Sequence, residues 1–422
     1  MAEYPYSYRE CMTSKHAELY EKALHLIPWA TQTNAKRWDN KTLPDRPPFI
    51  KKGKGCRLWD LDDKEYIDFR CSLGPITLGY AYKEVDDAVV KALRDGVLFS
   101  MASPLETKAA EAILDTIQWA DKIRYMKTGG EANASCLRLA RSFTGRDHFL
   151  TSGYHGCQDW FALSWPNHGV PLDLESMVHE INYDDLDAVD QIFEQYGDQL
   201  AAAVIVPVEW NKAPSKAYLQ KLREKCDEYG TVLIFDEVLT GFRLAKGGAP
   251  EYFDVIPDMA AFAKGISNGY PLSAFAGKAQ YMDVLERTNL TTTYAGETLS
   301  LAAAIQVMEI LNREPVHQTV FALGERLSHG FDSIFHEYSL PVRMVGLAPA
   351  HCMEWDAHDS EAAHLEQAIM NKLFQKGIFA YNPWFINYSH QNAEIDETLE
   401  KMRKSVQEAL QKAPASSCMH PS

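Results

Sequence analysis

Two ionisable residues, Asp236 and Lys264, each directly follow an apolar run of the chain. Asp236 comes after Thr231–Phe235, and Lys264 comes after Met259–Ala263. Short apolar runs of this kind predict buried strands, and ligands of open α/β sheets bind where the strands end. Desolvation lowers the pKa of a lysine in such a place, which suits it to form a Schiff base. A nearby carboxylate can hold the protonated nitrogen of a pyridine ring.

A turn containing two glycines, Thr128-Gly129-Gly130, lies between a predicted strand and a predicted helix. Backbone N–H groups and the helix dipole at such a turn can bind a phosphate group, and Thr128 can add its hydroxyl. The glycines allow the backbone to approach the ligand closely. No Gly-Lys-Ser/Thr follows, so the turn is not a P-loop. An ordinary connection between a strand and a helix is the alternative interpretation.

Two further segments carry groups that a flat, phosphorylated ligand would use. Tyr154 and His155 lie between the glycines of Gly153–Gly156, where the tyrosine could stack on a ring, or both side chains could pack in the core. Thr291–Gly296 precedes a helix and is a second candidate phosphate turn or a plain helix cap. Arg243 could pair with an anion or lie on the surface. Together with the aspartate and the lysine, these features are the ones that a site for pyridoxal 5′-phosphate (PLP) would use.

The elements that position these residues alternate between strand and helix from Leu105 onward, which predicts a mostly parallel, doubly wound α/β sheet. The N-terminal part contains a predicted helix, Ser14–Leu26, an irregular arm and a hairpin around Asp62-Asp63. After residue 310 the chain is rich in predicted helix, with strand candidates at Val342–Val345 and Gly377–Tyr381. The predicted domains are residues 1–75 (arm and part of a smaller α/β domain), 76–310 (large domain), 311–413 (the rest of the smaller domain) and 414–422 (a disordered tail).

Composition narrows the class of protein. The 422 residues are 46% hydrophobic, enough for a large core, and the net charge of −16 argues against nucleic acid as a partner. The eight cysteines are scattered without CxxC spacing, which indicates reduced thiols in a cytoplasmic protein, and no metal site is predicted. The N-terminal segment has no apolar signal core, and no stretch has the roughly 18 apolar residues of a membrane helix. We therefore expect neither secretion nor membrane insertion.

These motifs together resemble those of class III (fold type I) PLP-dependent aminotransferases, and within that family the glutamate-1-semialdehyde aminomutase group. The similarity runs from about Glu18 to Leu410. The segments that carry it are CRLWDLDDKEYIDF, SLGPITLGY, RLARSFTGRD, YHG, FDEVLTGFR, KGISNGYPLSAFAGK and TYAGETLSLAAA. The series FDEV, TGFR and the lysine after it is far more specific than any single segment.

The resemblance implies that Lys264 carries PLP as a Schiff base and that Asp236 binds the pyridine nitrogen. Tyr154 would stack on the ring, with His155 beside it. An amino group would pass from an amino acid to an aldehyde or ketone acceptor. L-glutamate is the expected donor. Sugar-type carbonyls are one class of acceptor among related enzymes.

The resemblance also implies a homodimer whose active sites are shared between subunits. Thr128, Gly129 and Gly130 of one subunit would bind the cofactor phosphate, and Thr293 would reach it from the other. Neither nucleic acid nor a membrane is expected as a partner. The partners would be a small amino donor, a carbonyl acceptor and a second copy of the chain.

Departures from the aminomutase pattern concern the substrate. Lys36 or Arg37 stands where the aminomutases have an arginine for the substrate carboxylate, and Leu73 replaces a tryptophan. Glu209 follows Val-Pro-Val where a Val-Glu-Pro is usual, so it either takes over that cofactor-binding role or the role is lost. Arg243 completes the set of substrate candidates. Besides an aminotransferase, a 2,1-aminomutase, an epimerase and, more remotely, a non-catalytic phosphate- or nucleotide-binding protein remain as alternatives.

Overall fold

The computed structural model describes residues 12–39, 41–162, 168–209, 211–356 and 361–412. The predicted disordered tail, residues 414–422, lies outside the described residues, as do Cys11 and Cys418. The chain divides into two compact units, one formed by Met1–Leu73 with Val320–Ser422 and one by Gly74–Thr319.

The described residues form fourteen strands and twelve α-helices. The strands are β1 Ile50–Lys54, β2 Arg57–Asp60, β3 Glu65–Asp68, β4 Lys122–Met126, β5 His148–Ser152, β6 Val178–Glu180, β7 Leu200–Ile205, β8 Val232–Glu237, β9 Met259–Phe262, β10 Ser273–Gly277, β11 Val342–Val345, β12 Ala350–Trp355, β13 Ile378–Phe379 and β14 Trp384–Phe385. The helices are α1 Ser14–Leu26, α2 Lys83–Leu93, α3 Pro104–Ile117, α4 Gly129–Thr144, α5 Leu186–Tyr196, α6 Lys216–Tyr229, α7 Ala249–Phe253, α8 Ala279–Met282, α9 Thr298–Arg313, α10 Val316–Glu337, α11 Ala362–Gln375 and α12 Asn392–Lys412.

The larger unit contains a seven-stranded sheet in the order β4-β10-β9-β8-β7-β5-β6. Strands β6, β5, β7, β8 and β9 are parallel, whereas β10 is antiparallel to both of its neighbours. Every residue of β7, β8 and β9 is buried, which explains why these strands are continuous apolar runs without alternation. The predicted α/β class, with a large, mostly parallel sheet, is confirmed.

Helix α4 shows how the sequence builds the core beside this sheet. It begins with a capping box between Thr128 and Glu131 and ends at Gly145, whose φ of 71° is left-handed. Its buried face includes Ala132, Cys136, Leu137 and Ala140 and packs in one cluster with strand residues such as Phe149, Val204 and Ile234. Burying each large apolar side chain of this cluster contributes about 1.5–3 kcal/mol.

The smaller unit joins segments from both ends of the chain. The predicted helix Ser14–Leu26 is α1, and the predicted hairpin at Asp62-Asp63 is the antiparallel pair β2–β3. Strand β3 also pairs in parallel with β13, so Ile67 lies opposite Ile378 and a four-stranded sheet β1-β2-β3-β13 results. The predicted strand Val342–Val345 is β11, which belongs to a second sheet in the order β11-β12-β14.

Two further properties hold for the residues that the structure describes. The helices found there are either too short or too polar to cross a lipid bilayer. Each described cysteine is a free thiol, and the exposed one is Cys157.

Candidate active site

A cavity of about 190 Å³ lies where β4, β5, β7, β8 and β9 of the larger unit end. Its walls come from the segments that directly follow these strands, so the sheet edge positions them, as expected for an open α/β sheet. The lining residues are Gly129, Gly130, Asn133, Tyr154, His155, Gly156, Val206, Val208, Glu209, Asp236, Val238, Leu239 and Lys264. The structure thus brings together seven of the residues singled out from the sequence.

Asp236, at the end of β8, is almost fully buried and accepts three hydrogen bonds. Its Oδ2 accepts from Asn133 Nδ2 at 2.6 Å and from His155 Nδ1 at 2.9 Å, while its Oδ1 accepts from the Val238 N–H at 3.0 Å. These three donors fix the position and orientation of the carboxyl group. Because the bond to Asp236 puts the His155 proton on Nδ1, the other ring nitrogen, Nε2, is the one left for a further partner.

Asn133 was missed by the sequence reasoning. It lies one turn before Cys136 and Leu137 on the buried face of α4, and it also donates to the His155 carbonyl at 3.2 Å. A buried amide at an apolar position of an amphipathic helix is the signal that could have identified it, because buried polar groups need a specific partner.

Lys264 stands two residues after the end of β9, at the start of a 3₁₀ turn that runs to Ser267. Its φ is 47°, a left-handed conformation that costs a non-glycine residue about 1–3 kcal/mol. The half-buried side chain lines the same cavity as Asp236. Strain of this kind persists only where the surrounding structure holds it, and it is common at functional sites.

Tyr154 and Glu209 form another wall. The Tyr154 N–H donates to Glu209 Oε1 at 3.1 Å, and the tyrosine is 45% exposed. Burial raises the pKa of the Glu209 carboxyl, and burial likewise raises the pKa of the Tyr154 hydroxyl. Glu209 therefore contacts the backbone of Tyr154, the candidate stacking residue, although the glutamate follows Val-Pro-Val instead of the usual Val-Glu-Pro.

The glycine turn is built for close backbone approach. A Cβ on Gly129 would lie 2.6 Å from Val238 Cγ2, and a Cβ on Gly156 would lie 3.1 Å from the Gly130 Cα. The first-turn N–H groups of α4 have no intrahelical acceptors, so they can bind an anion. Thr128 caps the helix by accepting from the Glu131 N–H, and it is not among the residues that line the cavity.

A half-buried ion pair next to this turn was also missed. Lys127 Nζ lies 3.0 Å from Glu297 Oε2, and Glu297 caps α9 by accepting from the N–H groups of Leu299 and Ser300. The pair links the Thr128 turn to the end of the Thr291–Gly296 turn. Two charged residues 170 positions apart gave no signal in the sequence.

The other predicted site residues are not among those that line this cavity. Thr293 is exposed and Arg243 is buried, with Nη2 donating to the Gly74 carbonyl at 2.5 Å, and neither lines the cavity. In the smaller unit, Lys36 and Arg37 are exposed, and the Arg37 guanidinium lies 5.5 Å from the centroid of the Trp29 ring. Leu73 ends a 3₁₀ turn with a φ of 72°.

The residues around the cavity fit PLP by their own chemistry. Among the described residues, His155 Nε2 and Asn133 Oδ1 are buried polar atoms without a hydrogen-bond partner. Such atoms point to a missing ligand, because buried polar groups are nearly always paired. A carboxylate, a lysine, an aromatic ring and a glycine turn at a helix N-terminus surround the same space, which are the groups that PLP needs.

Comparisons with known proteins agree with this chemistry. The model of the family "Aminotransferase class-III" matches residues 40–406. A glutamate-1-semialdehyde 2,1-aminomutase of Sulfurihydrogenibium sp. (strain YO3AOP1) is 33% identical over 92% of this chain and 97% of its own, and a 3-aminobutyryl-CoA aminotransferase of Cloacimonas acidaminovorans (strain Evry) is 31% identical over 94% and 97%. The solved structure of the FumI protein of Sphingopyxis sp. MTA144, in its PLP internal aldimine form, is similar with a TM-score of 0.88 and 25% identity over 94% of this chain and 96% of that one.

Proposed function

Because the chain belongs to the class-III aminotransferase family, we propose that it moves an amino group from L-glutamate to an aldehyde or ketone acceptor. The protein is a PLP-dependent enzyme. The observation that carries the proposal is that Asp236, with its three hydrogen-bond donors, and Lys264 line one cavity.

In this proposal the cavity holds the cofactor by both ends. Asp236 binds the protonated ring nitrogen, since Asn133, His155 and the Val238 N–H hold its carboxyl group in place. Tyr154 covers a face of the ring, and the turn at Gly129 and Gly130 binds the phosphate with backbone N–H groups. The Thr128 hydroxyl would also donate a hydrogen bond to the phosphate, while its oxygen accepts from the Glu131 N–H.

Bound PLP supplies an aldehyde carbon that reacts with amines and a ring that accepts electron density. Lys264 would act as general base and general acid, because its amine can take the proton from the substrate carbon and return it to the cofactor carbon that is joined to the substrate nitrogen. Its position in a largely apolar pocket limits competition from water. Glu209 fixes the backbone at Tyr154 and thereby the orientation of the ring cover.

The proposal includes a homodimer with shared sites. Val97, Phe99 and Met101 of the larger unit are 37%, 48% and 83% exposed, an apolar surface that a second subunit would cover. The Val97 carbonyl accepts from the N–H of Thr298 at 2.9 Å, so this surface adjoins the helix that follows Thr293. Thr293 would then reach the phosphate of the other subunit.

The substrate determinants remain proposals of the same kind. Lys36, Arg37, Leu73 and Arg243 are the candidates to contact the donor or acceptor, and sugar-type carbonyls are one acceptor class to be tested. The two relatives named above act on different compounds, as their names state, so family membership leaves the acceptor open.

A half-reaction tests the amino transfer. PLP-loaded enzyme is mixed with L-glutamate without an acceptor, and 2-oxoglutarate is measured; one equivalent per site is expected. Lys264→Ala should yield none, whereas Lys108→Ala, a change at an exposed lysine of α3, should behave like the wild type. A panel of aldehydes and ketones then identifies the acceptor by the second half-reaction.

A 2,1-aminomutase is the second candidate, favoured by the 33% identity to a protein of that name. An aminomutase transfers the amino group within one substrate, so it would isomerise glutamate-1-semialdehyde with its cofactor loaded. Absence of 2-oxoglutarate from glutamate, together with turnover of the semialdehyde, would replace the first proposal by the second.

A further inference from the structure

A second group of ligand-type side chains stands in the smaller unit. Among the described residues, His16 of α1 and Asp60 and Asp62 of the β2–β3 hairpin have candidate donor atoms all within 4.8 Å of one another. The three residues come from two separate elements. The cluster therefore exists only after α1 has packed on the hairpin, and no sequence spacing indicated it.

The imidazole of His16 has no hydrogen bond of its own in the described structure. The residue is 4% exposed, and Nδ1 is buried without a partner. Nε2 faces the two carboxylates at 3.7 Å from Asp62 Oδ2 and 4.0 Å from Asp60 Oδ2, which is beyond hydrogen-bond range. An imidazole in its neutral form carries a lone pair that can bind a metal. The nitrogen that faces the carboxylates is Nε2, which is therefore the candidate ligand atom, whereas the unpartnered Nδ1 is the other ring nitrogen.

The two carboxylates are held in place by other groups. Asp60 Oδ1 accepts from the N–H groups of Asp62 and Lys64, and Asp60 Oδ2 accepts from the Tyr66 hydroxyl at 3.0 Å. Asp62 Oδ2 accepts from the Thr13 hydroxyl at 2.5 Å. Asp60 Oδ2 and Asp62 Oδ2, the oxygens that face His16, each keep a second lone-pair site. Hydrogen bonds of this kind orient the ligands of metal sites and raise their affinity.

We propose that His16, Asp60 and Asp62 bind one divalent transition-metal ion, which ties α1 to the β2–β3 hairpin. Zinc bonds of about 2.0–2.2 Å place tetrahedral donors roughly 3.4 Å apart. The His16 Nε2 distances of 3.7 and 4.0 Å exceed this value, and the three donor atoms lie within 4.8 Å of one another, so the side chains would draw closer together around the ion. A neutral imidazole and two carboxylates are a donor set that Zn²⁺ accepts, with water completing the tetrahedron. Lys15 Nζ, 3.5 Å from Asp62 Oδ1, opposes the ion and sets the affinity lower than three ligands would otherwise give.

Calorimetric titration of ZnCl₂ into chelator-treated, PLP-loaded enzyme tests the proposal. The wild type should bind one Zn²⁺ ion per chain at this site, and thermal denaturation should shift upward with the ion bound. His16→Gln should weaken this binding at least tenfold, whereas His25→Gln, a change at an exposed histidine of the same helix, should leave it unchanged. Lys15→Gln should strengthen it.

Two further comparisons keep the test decisive. Asp62→Asn alters a partly exposed side chain and so preserves the fold if His16→Gln does not; it should also weaken Zn²⁺ binding at least tenfold. Equal Zn²⁺ affinity of the wild type and Asp62→Asn, or of the wild type and a folded His16→Gln, would overturn the proposal.

Discussion

At the scale of single residues, Asp236 is held by donors from three different segments, and Asn133 makes the shortest of these bonds at 2.6 Å. A hydrogen bond to a charged group contributes about 1.5–3 kcal/mol. Asn133→Ala should therefore raise the Kd for PLP by about tenfold or more. Equilibrium dialysis measures the change, with Ser142→Ala on the same helix as a control. Unchanged PLP affinity in a correctly folded Asn133→Ala would show that the amide does not support the ring-binding carboxylate.

The neighbouring carboxyl, Glu237, is fully buried and serves the fold. It accepts from the Thr240 hydroxyl and the Ala249 N–H, and burial raises its pKa from 4.5 to about 8. The folded chain therefore keeps a proton that the unfolded chain has released, and stability falls as the pH rises from about 4.5 to about 8.

Urea denaturation across this pH range should show that loss in the wild type and in Glu224→Gln, which changes an exposed carboxyl. Glu237→Gln cannot release a proton and should lose less stability over the same range. Parallel pH profiles for the wild type and Glu237→Gln would contradict the assignment.

At the scale of elements, the turn before α4 depends on the segment after β8. Gly129→Ala would place a methyl group 2.6 Å from Val238 Cγ2, and such overpacking costs about 1–3 kcal/mol. We expect a lower Tm and faster loss of PLP. Gly129→Ala combined with Val238→Ala should recover much of both losses, because the second change removes the atoms that clash. A double variant no better than Gly129→Ala would assign the loss to the backbone instead.

Apolar runs in the sequence were sufficient to predict most strands of the seven-stranded sheet whose edge forms the site. The runs before Asp236 and Lys264 are β8 and β9, both buried along their whole length. Strand β10 escaped prediction, and its antiparallel insertion between β9 and β4 depends on long-range pairing that periodicity does not encode. Asn133 escaped for a similar reason, since its partner is 103 residues away.

At the scale of the whole molecule, shared sites make a specific prediction for mixed dimers. Lys264→Ala and Thr293→Val subunits are co-expressed with different tags, and the mixed dimer is isolated by two affinity steps. One of its two sites then combines an intact Lys264 with an intact Thr293 from the other chain, so about half of the wild-type amino transfer should return. Activity equal to the mean of the two parent dimers would indicate that both residues act within one chain.

The parallel pairing of β3 with β13 affects how the chain is made. The edge of β3 that pairs with Ile378 is synthesised roughly 300 residues before β13. At ribosomal rates this separation corresponds to a delay of about 15–60 s. During that interval the unit Gly74–Thr319 emerges with all seven strands of its own sheet, whereas the N-terminal segment has an unpaired strand edge. The nascent chain therefore exposes an aggregation-prone edge until translation is almost complete, and this interval is when a chaperone would contribute most to its yield.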